Sequence, residues 1–460
     1  MKSVSNFARI GAITGMSLGL LLGACVTAPT ESADLQAANT SVDAAMSQAV
    51  RDYLTPVAAM RDFSGIIRIE RNDAVLVEEG YGFADWERGI ENTGATRFAA
   101  GSITKGMTAA ILFVLEENGA LNRQDLVSTY LPGFVHGANI TLDQVLRHEA
   151  GLPRDVPDSE RASIGKAGLI QWLNAQSFEN ATTSEYAYSN VGYEVLALAF
   201  EAATAKNYAQ LANELIFTPL GMANSTIETQ RNDMAPNAAI GHDAGPLPLD
   251  VQRADVAPAL AIGAEGIVAT AADLIRWVKS AVNQRPVNLF DDDGDIIGSV
   301  QAREIDGATV YKFQGSTKGY GAAVLARPAD DLYVAFASNL QTYPLWSLEW
   351  ALLDIADGKT PDAAPIRKPS TPLTDAHRKF LGEYVHPGFG PFSITERGNG
   401  LYMTLLGPGW SFYLSPTVDD ELAFRFFNTR FFWNEQGGLM SEQKLIGQPL
   451  QLFELAPYLE

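Results

Sequence analysis

Ser102 and Lys105 form a Ser-x-x-Lys pair, in which a lysine amine can reach a serine hydroxyl. On a helix, residues three apart lie on the same face one turn apart, so the two side chains can meet. The positive end of a helix and partial burial both disfavour an ammonium ion, which pushes Lys105 towards the neutral amine. A neutral amine can act as a base for an adjacent hydroxyl, and the pair therefore predicts covalent acyl transfer.

The spacing alone is a weak signal, because it recurs at 163–166 and at 441–444, which we expect to be loop or surface positions. What singles out Ser102 is the segment 97–101 before it and a long amphipathic helix predicted directly after it. A Gly-x-Ser-x-Gly pattern around Ser17 resembles another nucleophile motif. It lies within a predicted signal peptide, and we discount it.

The elements around Ser102 change from strands to helices and back to strands. Helical spacing prevails from Thr104 to about Ile275, and alternating runs with turns lie on both sides of that region. The specific predictions are a hairpin over 64–77, a hairpin over 296–315 turning at Asp306-Gly307, a strand over 332–338 and a closing helix over 345–355.

A second domain is predicted at the C-terminus. Residues 358–372 contain four prolines and predict a linker, since proline suits neither a helix interior nor a central strand. Beyond them, short alternating runs separated by Gly and Pro predict a small antiparallel β-domain over 373–460. Sixteen of the chain's 44 aromatic residues lie between Phe380 and Tyr458. We expect them to pack the core of this domain, with binding of an aromatic ligand as the alternative.

The segment Phe98-Ala99-Ala100-Gly101-Ser102-Ile103-Thr104-Lys105 resembles the nucleophile motif of the serine β-lactamase and penicillin-binding-protein superfamily. The branch it resembles most comprises class C β-lactamases, D-alanyl-D-alanine carboxypeptidases and family VIII esterases. The similarity covers roughly residues 45–357. Further segments that resemble family motifs, in the family's order, are 140–152, 186–193 with its Tyr-x-Asn, 219–222 and 263–274.

The resemblance implies an α/β fold over residues 46–357, with an antiparallel sheet flanked by helices and a helical subdomain. Ser102 would be the nucleophile and Lys105 its base, while Tyr188 would carry a proton to the leaving group and later help to activate water. A nearby cation favours a phenolate, so we expect Lys105 to lower the pKa of Tyr188. Asn190 is expected to face the same cleft and bind substrate, whereas His148 is given a structural role.

The third family motif is where the sequence departs. Family members usually carry Lys-Thr-Gly or His-x-Gly six residues ahead of a Gly-aromatic pair. Counting back from Gly319-Tyr320, this sequence has Phe313, Gln314 and Gly315 there. We expect all three to contact substrate, with the ring of Phe313 in place of the usual cation.

The neighbouring residues of that strand keep part of the expected chemistry. Lys312 is one position off, and the alternation of a strand points it to the other face. The backbone amides of Ser102 and Ser316 can still form an oxyanion hole, which depends on geometry and not on side-chain type. Recognition of a substrate carboxylate is therefore in doubt, and neutral esters or amides are favoured over β-lactams and D-alanine peptides.

Composition and charge exclude several other classes of protein. The net charge of −21 argues against a nucleic-acid partner, which would require a basic surface. One cysteine can form neither an internal disulfide nor a thiolate zinc cluster, and the five histidines show no close metal-ligand spacing. We therefore expect no metal and no cofactor. The sequence does not indicate an oligomeric state.

The N-terminus predicts export and a lipid anchor. Residues 1–24 have a short basic start and an apolar stretch typical of a signal peptide, and they end in Leu22-Gly23-Ala24, directly before Cys25. This ending resembles a bacterial lipobox, in which Cys25 would be lipidated; an ordinary signal peptide with an accidental cysteine is the alternative. Val26 favours the outer membrane by resemblance to enterobacterial sorting, and residues 25–45 are predicted to be a flexible tether.

Three hypotheses follow. The first is a lipid-anchored periplasmic serine hydrolase, most simply an esterase for neutral esters. The second is a peptidase or amidase, or a β-lactamase-like enzyme, acting on D-amino-acid or cell-wall material. The third is a non-catalytic envelope protein on a degenerate scaffold. Intact Ser102, Lys105 and Tyr188 argue against the third hypothesis, and Phe313 argues for it.

The anchor can be tested by changing Cys25→Ser in the full-length chain. We expect the variant to leave the membrane fraction and appear in the soluble fraction, because the acyl chains supply the membrane affinity. Its melting temperature should be unchanged, since the tether holds no core. Membrane association equal to that of the wild type would refute lipidation at this cysteine.

Overall fold

The structure of the protein is a computed structural model, and Cys25 and the predicted signal peptide lie outside the residues that it describes. Among the described residues, no helix is both long enough and apolar enough to cross a bilayer. The described ranges are 31–177, 185–228, 237–244, 251–254, 262–285, 288–291, 294, 296–342, 348–364, 368–388, 390–406, 411–424, 429–443 and 450–458.

Residues 46–357, for which the sequence predicted the hydrolase fold, are called the catalytic region. Most of the α-helices lie between its first strand and its last strand. In chain order they are α1 (Glu31–Ala59), α2 (Ile103–Glu117), α3 (Val127–Tyr130), α4 (Leu142–Leu146), α5 (Asp158–Asn174), α6 (Asn190–Thr204), α7 (Tyr208–Ala212), α8 (Ala271–Asn283), α9 (Leu348–Ala356) and α10 (Asp375–Arg378).

Within the described residues, the strands form a six-stranded sheet, a nine-stranded C-terminal sheet, a short three-stranded sheet and two short pairs. The strands of the first region are β1 (Gly65–Arg71), β2 (Ala74–Tyr81), β3 (Phe83–Asp85), β4 (Ile90–Glu91), β5 (Phe98–Ala99), β6 (Thr226–Ile227), β7 (His242–Ala244), β8 (Val251–Arg253), β9 (Ile267–Ala269), β10 (Gln301–Ile305), β11 (Ala308–Thr317), β12 (Tyr320–Arg327) and β13 (Leu332–Ser338). Those of the C-terminal sheet are β14 (Gly382–His386), β15 (Gly390–Arg397), β16 (Gly400–Leu405), β17 (Ser411–Pro416), β18 (Leu422–Phe424), β19 (Thr429–Trp433), β20 (Leu439–Gln443), β21 (Gln451–Glu454) and β22 (Ala456–Pro457).

A six-stranded antiparallel sheet in the order β10-β11-β12-β13-β1-β2 forms the centre of the catalytic region. The hairpins predicted at 64–77 and 296–315 are confirmed as β1–β2 and β10–β11. Both turn on two residues with positive φ, Asn72-Asp73 and Asp306-Gly307, as a two-residue hairpin requires. β12 and β13 are buried along their whole length, so their continuous apolar runs are covered on both faces.

The two faces of this sheet are covered by different sets of helices. Alternate residues of β13 divide between two apolar clusters: Ala335 joins the one that contains α2 and α8, and Val334 joins the one that contains α1 and α9. The predicted fold, a sheet flanked by helices with a helical subdomain on one side, is confirmed. The nucleophile lies on the α2 side.

Helix α1 begins at Glu31 and therefore overlaps the segment 25–45 for which the sequence predicted a flexible tether. The overlapping part is rich in alanine with Glu, Leu and Gln, which are strong helix formers, and this explains the difference. Of this helix, side chains are described from residue 44 onward, and Val50, Leu54 and Val57 are buried in the cluster on the α9 side of the sheet.

The predicted C-terminal antiparallel β-domain is confirmed by the strands β14 to β22, and its sheet is closed. The last segment, 451–457, bends at Leu455; its first half, β21, pairs with β20 and its second half, β22, pairs with β14. The first and last strands of the sheet are thereby joined into an antiparallel barrel. Buried aromatic residues, among them Phe392 and Phe431, fill its interior, as the aromatic enrichment predicted.

Candidate active site

Ser102 is the first residue of the turn that opens α2, and it remains partly exposed while its neighbours are buried. The short strand β5 pairs with β9 and delivers the chain to this point. Gly101 between them has φ +50, and a Cβ at this position would lie 2.6 Å from the carbonyl oxygen of Ser316. Glycine is therefore required for both its conformation and its close contact.

The amine of Lys105 meets the hydroxyl of Ser102, as the spacing predicted. Nζ donates to Ser102 Oγ at 3.0 Å and to the carbonyl oxygen of Ala264 at 3.0 Å. The side chain is fully buried, and Nζ lies 4.9 Å from the ring centroid of Tyr188 and 5.6 Å from that of Tyr193. Burial lowers the pKa of Lys105 to about 7, although nearby carboxylates oppose the shift. The neutral amine is therefore well populated at neutral pH.

Tyr188 forms a trio with Ser102 and Lys105. The pKa of Tyr188 moves in the direction opposite to the one predicted. Its Oη lies 2.7 Å from Ser102 Oγ. Burial raises the pKa of Tyr188 to about 12, because desolvation of a phenolate outweighs the hydrogen bond from Ser102 and the charge of Arg154, both of which lower it. Tyr188 is thus a neutral phenol that can donate a proton, and Lys105 is the only one of the two suited to act as the base.

The strand β11 approaches the start of α2 at Gly315. A Cβ at this position would overlap the carbonyl oxygen of Ala100 and would lie 2.6 Å from the amide nitrogen of Ser102. Only glycine allows the two backbones to come this close. Ser316 follows directly, so its main chain lies beside that of the nucleophile, as the predicted oxyanion hole requires.

Phe313 does not face substrate, and this corrects the prediction for it. Its ring is only 2% exposed and belongs to the apolar cluster of α2 and α8. The residue is on the side of the strand that faces the nucleophile helix, as expected, but it is covered there by the core. An apolar side chain in that position gains more from core packing than from solvent exposure.

Gln314 and Lys312 lie on the opposite face of β11. Gln314 lines a cavity of about 10 Å³ together with Gly315, Ser316, Phe336 and Gln341, among others. Phe336 belongs to the apolar cluster on the α9 side of the sheet, and a substrate contact of Gln314 stays a prediction. Lys312 is buried against Glu349 of α9, as the strand alternation predicted for it.

Asn190 is the first residue of α6, and its link to Ser102, Lys105 and Tyr188 runs through Asp155. Its side-chain amide donates to Asp155, whose charge influences the pKa values of Lys105 and Tyr188. The Asn190 Oδ1 atom is buried and accepts no hydrogen bond from a described residue. Such an acceptor is normally satisfied by water or by a ligand, so substrate binding by Asn190 stays a prediction.

Two charged residues near the trio were not singled out from the sequence. Glu265 lies next to Ala264, accepts a hydrogen bond from Thr317 at 2.6 Å and has the largest charge effect on the pKa of Lys105. The guanidinium of Arg154 lies 5.0 Å from the ring centroid of Tyr188, and its side chain is 55% exposed. Glu265 occurs in the segment 263–274 that resembles a family motif, and Arg154 lies two residues beyond the segment 140–152, yet no spacing rule indicates either side chain.

Ser102, Lys105 and Tyr188 bring together the kinds of group that acyl transfer uses. The neutral amine can accept the proton of Ser102, the neutral phenol can donate one, and the main chains of Ser102 and Ser316 lie close together, as an oxyanion hole requires. Over the part of the chain that the structure describes, no three His, Cys, Asp or Glu side chains are grouped so that they could hold a metal ion.

Comparison with known proteins agrees with this geometry. The profile of the family described as Beta-lactamase matches residues 42–356. The teichoic acid D-alanine hydrolase of Staphylococcus aureus (strain MRSA252) is 29% identical over 170 residues, which cover 37% of this chain and 42% of that protein. The chain spans less than half the length of the first curated relatives that it matches.

Solved structures extend the similarity to the fold. The octameric penicillin-binding protein homologue from Pyrococcus abyssi has a TM-score of 0.57 at 19% identity, covering 88% of this chain and 98% of that one. The D-amino acid amidase from Ochrobactrum anthropi SV3 has a TM-score of 0.56 at 17% identity, covering 69% and 97%. At these identities the likeness establishes the fold alone.

Substitution of the trio tests its catalytic role. We expect Ser102→Ala, Lys105→Ala and Tyr188→Phe each to lower kcat by about 10²-fold or more, and double variants to lose little beyond the single ones, because the groups act as a unit. Ser163→Ala is the matched control and should stay within about twofold, since Ser163 is an exposed residue of α5. Hydrolysis that survives Ser102→Ala would show that the nucleophile is elsewhere.

Ser441, the serine of the third Ser-x-x-Lys match, is a poorer control than the sequence suggested. It is fully buried in the barrel and bonded to His386, not on a loop or the surface. Ser441→Ala should therefore cost about 1 kcal/mol of stability without changing the rate per folded enzyme.

The pH dependence of kcat/KM should report Lys105. The ammonium form cannot accept the proton of Ser102, so the rate should fall as the pH drops through about 7. Glu265→Gln removes a negative charge that favours the ammonium, and this should move the acid limb to lower pH while keeping an acceptor for Thr317. Glu454→Gln, at an exposed position in the barrel, is the control. An acid limb that does not move in Glu265→Gln would mean that this charge does not act on the base.

Proposed function

The chain belongs to the beta-lactamase family, and on this basis we propose that it is a serine esterase that forms an acyl-enzyme on Ser102 with neutral ester substrates. The proposal includes attachment to the periplasmic face of the bacterial envelope, in the outer membrane, through lipidated Cys25. A serine hydrolase follows from the family and from the geometry of Ser102, Lys105 and Tyr188. The ester substrate rests on the residues of β11, and the anchor rests on the lipobox-like sequence that ends at Cys25.

The observation that carries the ester proposal is the placement of Lys312 and Phe313. Lys312 is turned to the far face of the sheet and buried against Glu349, while the position that faces the nucleophile helix holds a core phenylalanine. β11 therefore offers no cation at these two positions to a substrate carboxylate. A carboxylate that is desolvated in the cleft without a partner is costly, whereas a neutral ester has no such penalty.

Acylation begins with the neutral amine of Lys105. The proton of Ser102 passes to Nζ as Oγ attacks the ester carbonyl, and the amides of Ser102 and Ser316 receive the developing oxyanion. When the C–O bond breaks, Tyr188 gives its proton to the alkoxide and recovers one from the ammonium of Lys105. The alcohol leaves and the acyl group remains on Ser102.

Deacylation follows the same path in reverse with water in the place of the alcohol. The water passes a proton through Tyr188 to Lys105 as it attacks the acyl carbonyl. Lys105 then returns a proton to Oγ of Ser102 as the ester bond to the enzyme breaks. The high pKa of Tyr188 suits this role, because the phenol is neutral, and so has a proton to give, at the start of each transfer.

A second candidate is a hydrolase of D-aminoacyl esters or amides. Two of the proteins reported above are named for D-alanine and D-amino acid substrates. In this chain, Glu265 and Asp155 are the carboxylates with the largest influence on Lys105. A free α-ammonium on the acyl group would be attracted to these charges, and such a substrate carries no carboxylate.

A substrate panel distinguishes the candidates. We expect kcat/KM for p-nitrophenyl butyrate to exceed that for an N-acylated D-alanyl-D-alanine peptide or a β-lactam by about 10²-fold or more, since each of the latter carries an unpaired carboxylate. Ser102→Ala should abolish every activity in the panel. A D-alanyl ester that is cleaved faster than butyrate, and loses more than butyrate in Glu265→Gln, would favour the second candidate.

The opposite substrate preference would mean that a cation other than Lys312 binds the substrate carboxylate. If the D-alanyl-D-alanine peptide is cleaved faster than butyrate, the ester proposal is wrong. Arg154→Ala would then show whether the exposed guanidinium beside Tyr188 binds the carboxylate, by a loss confined to the carboxylate-bearing substrates. A chain that turns over nothing and does not react with a fluorophosphonate at Ser102 would instead be a binding protein.

A further inference from the structure

His148 contacts three consecutive residues of the segment that carries the catalytic phenol. Its carbonyl oxygen accepts the N–H of Ala187 at 2.7 Å, and its Nδ1 accepts the N–H of Ser189 at 3.1 Å. Between these two hydrogen bonds, the imidazole lies 4.6 Å from the ring of Tyr188, with 32° between the ring planes. The main chain on both sides of Tyr188 and its ring are therefore held by one residue.

The hydrogen bonds determine the tautomer of His148. Nδ1 receives an N–H, so it must keep its lone pair, and the proton of the neutral ring is on Nε2. Nε2 lies 3.3 Å from Ser299 Oγ, to which it can donate. Burial, Lys105 and Arg154 lower the pKa of His148 to about 3, so the ring stays neutral at neutral pH. The imidazole is therefore a neutral ring held in one orientation, and it does not act as a proton acceptor.

The backbone of His148 is fixed at the end of α4, where its N–H donates to the carbonyl oxygen of Val145 and the N–H of Glu149 donates to that of Gln144, as in helices that end on a left-handed residue. Its φ is +62, in the left-handed region that costs free energy for a residue other than glycine. The residue lies just beyond α4 and is 4% exposed. A strained residue of this kind persists only where the surrounding contacts determine its position.

Ser299, the partner of His148 Nε2, lies in a segment that contacts α2 next to Lys105. Ser299 also has a positive φ, +64, and follows Gly298, at which a Cβ would lie 2.5 Å from the Cα of Gly106. Gly106 is the residue after Lys105. His148 thus joins the segment of Tyr188 to a turn that lies against α2 at the catalytic lysine.

We propose that His148 is a positioning residue that holds the hydroxyl of Tyr188 within hydrogen-bonding distance of Ser102. The proposal rests on the proposed proton-transfer role of Tyr188. The imidazole of His148, packed against the ring of Tyr188, restricts the orientation of the phenol. The two hydrogen bonds to the main chain fix the position of the segment 187–189. A misplacement of about 1 Å in such a group can cost about 10²-fold in rate.

The test compares His148→Asn with His148→Ala, each alone and in the Tyr188→Phe background. Asparagine tolerates a positive φ and keeps an acceptor for Ser189, but it removes the ring that stacks on Tyr188. Active sites are counted by fluorophosphonate labelling, and rates with p-nitrophenyl butyrate are expressed per labelled site. The rate constant of labelling itself reports acylation where turnover is too slow to measure.

We expect His148→Asn to lower kcat per labelled site by at least about tenfold with KM within about twofold, and to add no loss in the Tyr188→Phe background. The acid limb of the pH profile should stay at the pH of the wild type, because Lys105 remains the base. His386→Asn is the matched control, since His386 is also buried, also accepts an N–H at Nδ1 and also contacts a serine at Nε2, but lies in the barrel. Its kcat per labelled site should equal that of the wild type.

Three results would overturn the proposal. A kcat per labelled site that is unchanged in both His148 variants would mean that the residue only supports folding. A loss of equal size with and without Tyr188→Phe would mean that His148 does not act through the phenol. An acid limb that disappears in His148→Asn would make His148 a proton acceptor. If Tyr188→Phe itself has full activity, it is the proposed role of Tyr188 that fails, and this result does not depend on the His148 variants.

Discussion

The burial of one amine underlies the rest of the site. Removing an unpaired cation from water costs several kcal/mol, so a fold that buries Lys105 completely must pair the charge or remove it. Here Nζ bonds a hydroxyl and a carbonyl oxygen, which carry no full negative charge, and desolvation therefore prevails and favours the neutral amine. Burial acts in the opposite direction on Tyr188, whose pKa it raises. The two groups are thereby neutral together at neutral pH, one able to accept a proton and the other able to donate one.

A second constraint is the close approach of β11 to the start of α2. The sheet and the nucleophile helix meet at Gly101 and Gly315, and each would clash with the opposite backbone if it carried a side chain. This contact places the amide of Ser102 beside the main chain of Ser316. The contact is between backbones, so it does not depend on the side chains at 313 and 314. The third motif can therefore depart from the family pattern without changing the contact of β11 with the main chain at Ser102.

The sequence by itself singled out Ser102, Lys105 and Tyr188, which the structure brings together, and it determined the two hairpins and the C-terminal β-domain. The base, the hairpins and the strands depend on local rules: the three-residue spacing on a helix, the positive-φ turn residues and the alternation of side chains along a strand. Alternation also predicted that Lys312 would lie on the far face of β11, and its ion pair with Glu349 confirms this.

The tertiary structure alone decided how these residues behave. Phe313 is on the predicted side of its strand, but only the packing of α2 and α8 against the sheet shows that the ring is core and not a substrate contact. The pKa of Tyr188 was predicted in the wrong direction because the neighbouring cation is visible in the sequence, whereas desolvation is not. The roles of Glu265 and His148 depend on contacts between segments that are far apart in the chain. Burial and such long-range contacts follow from how the whole chain packs, and no local spacing encodes them.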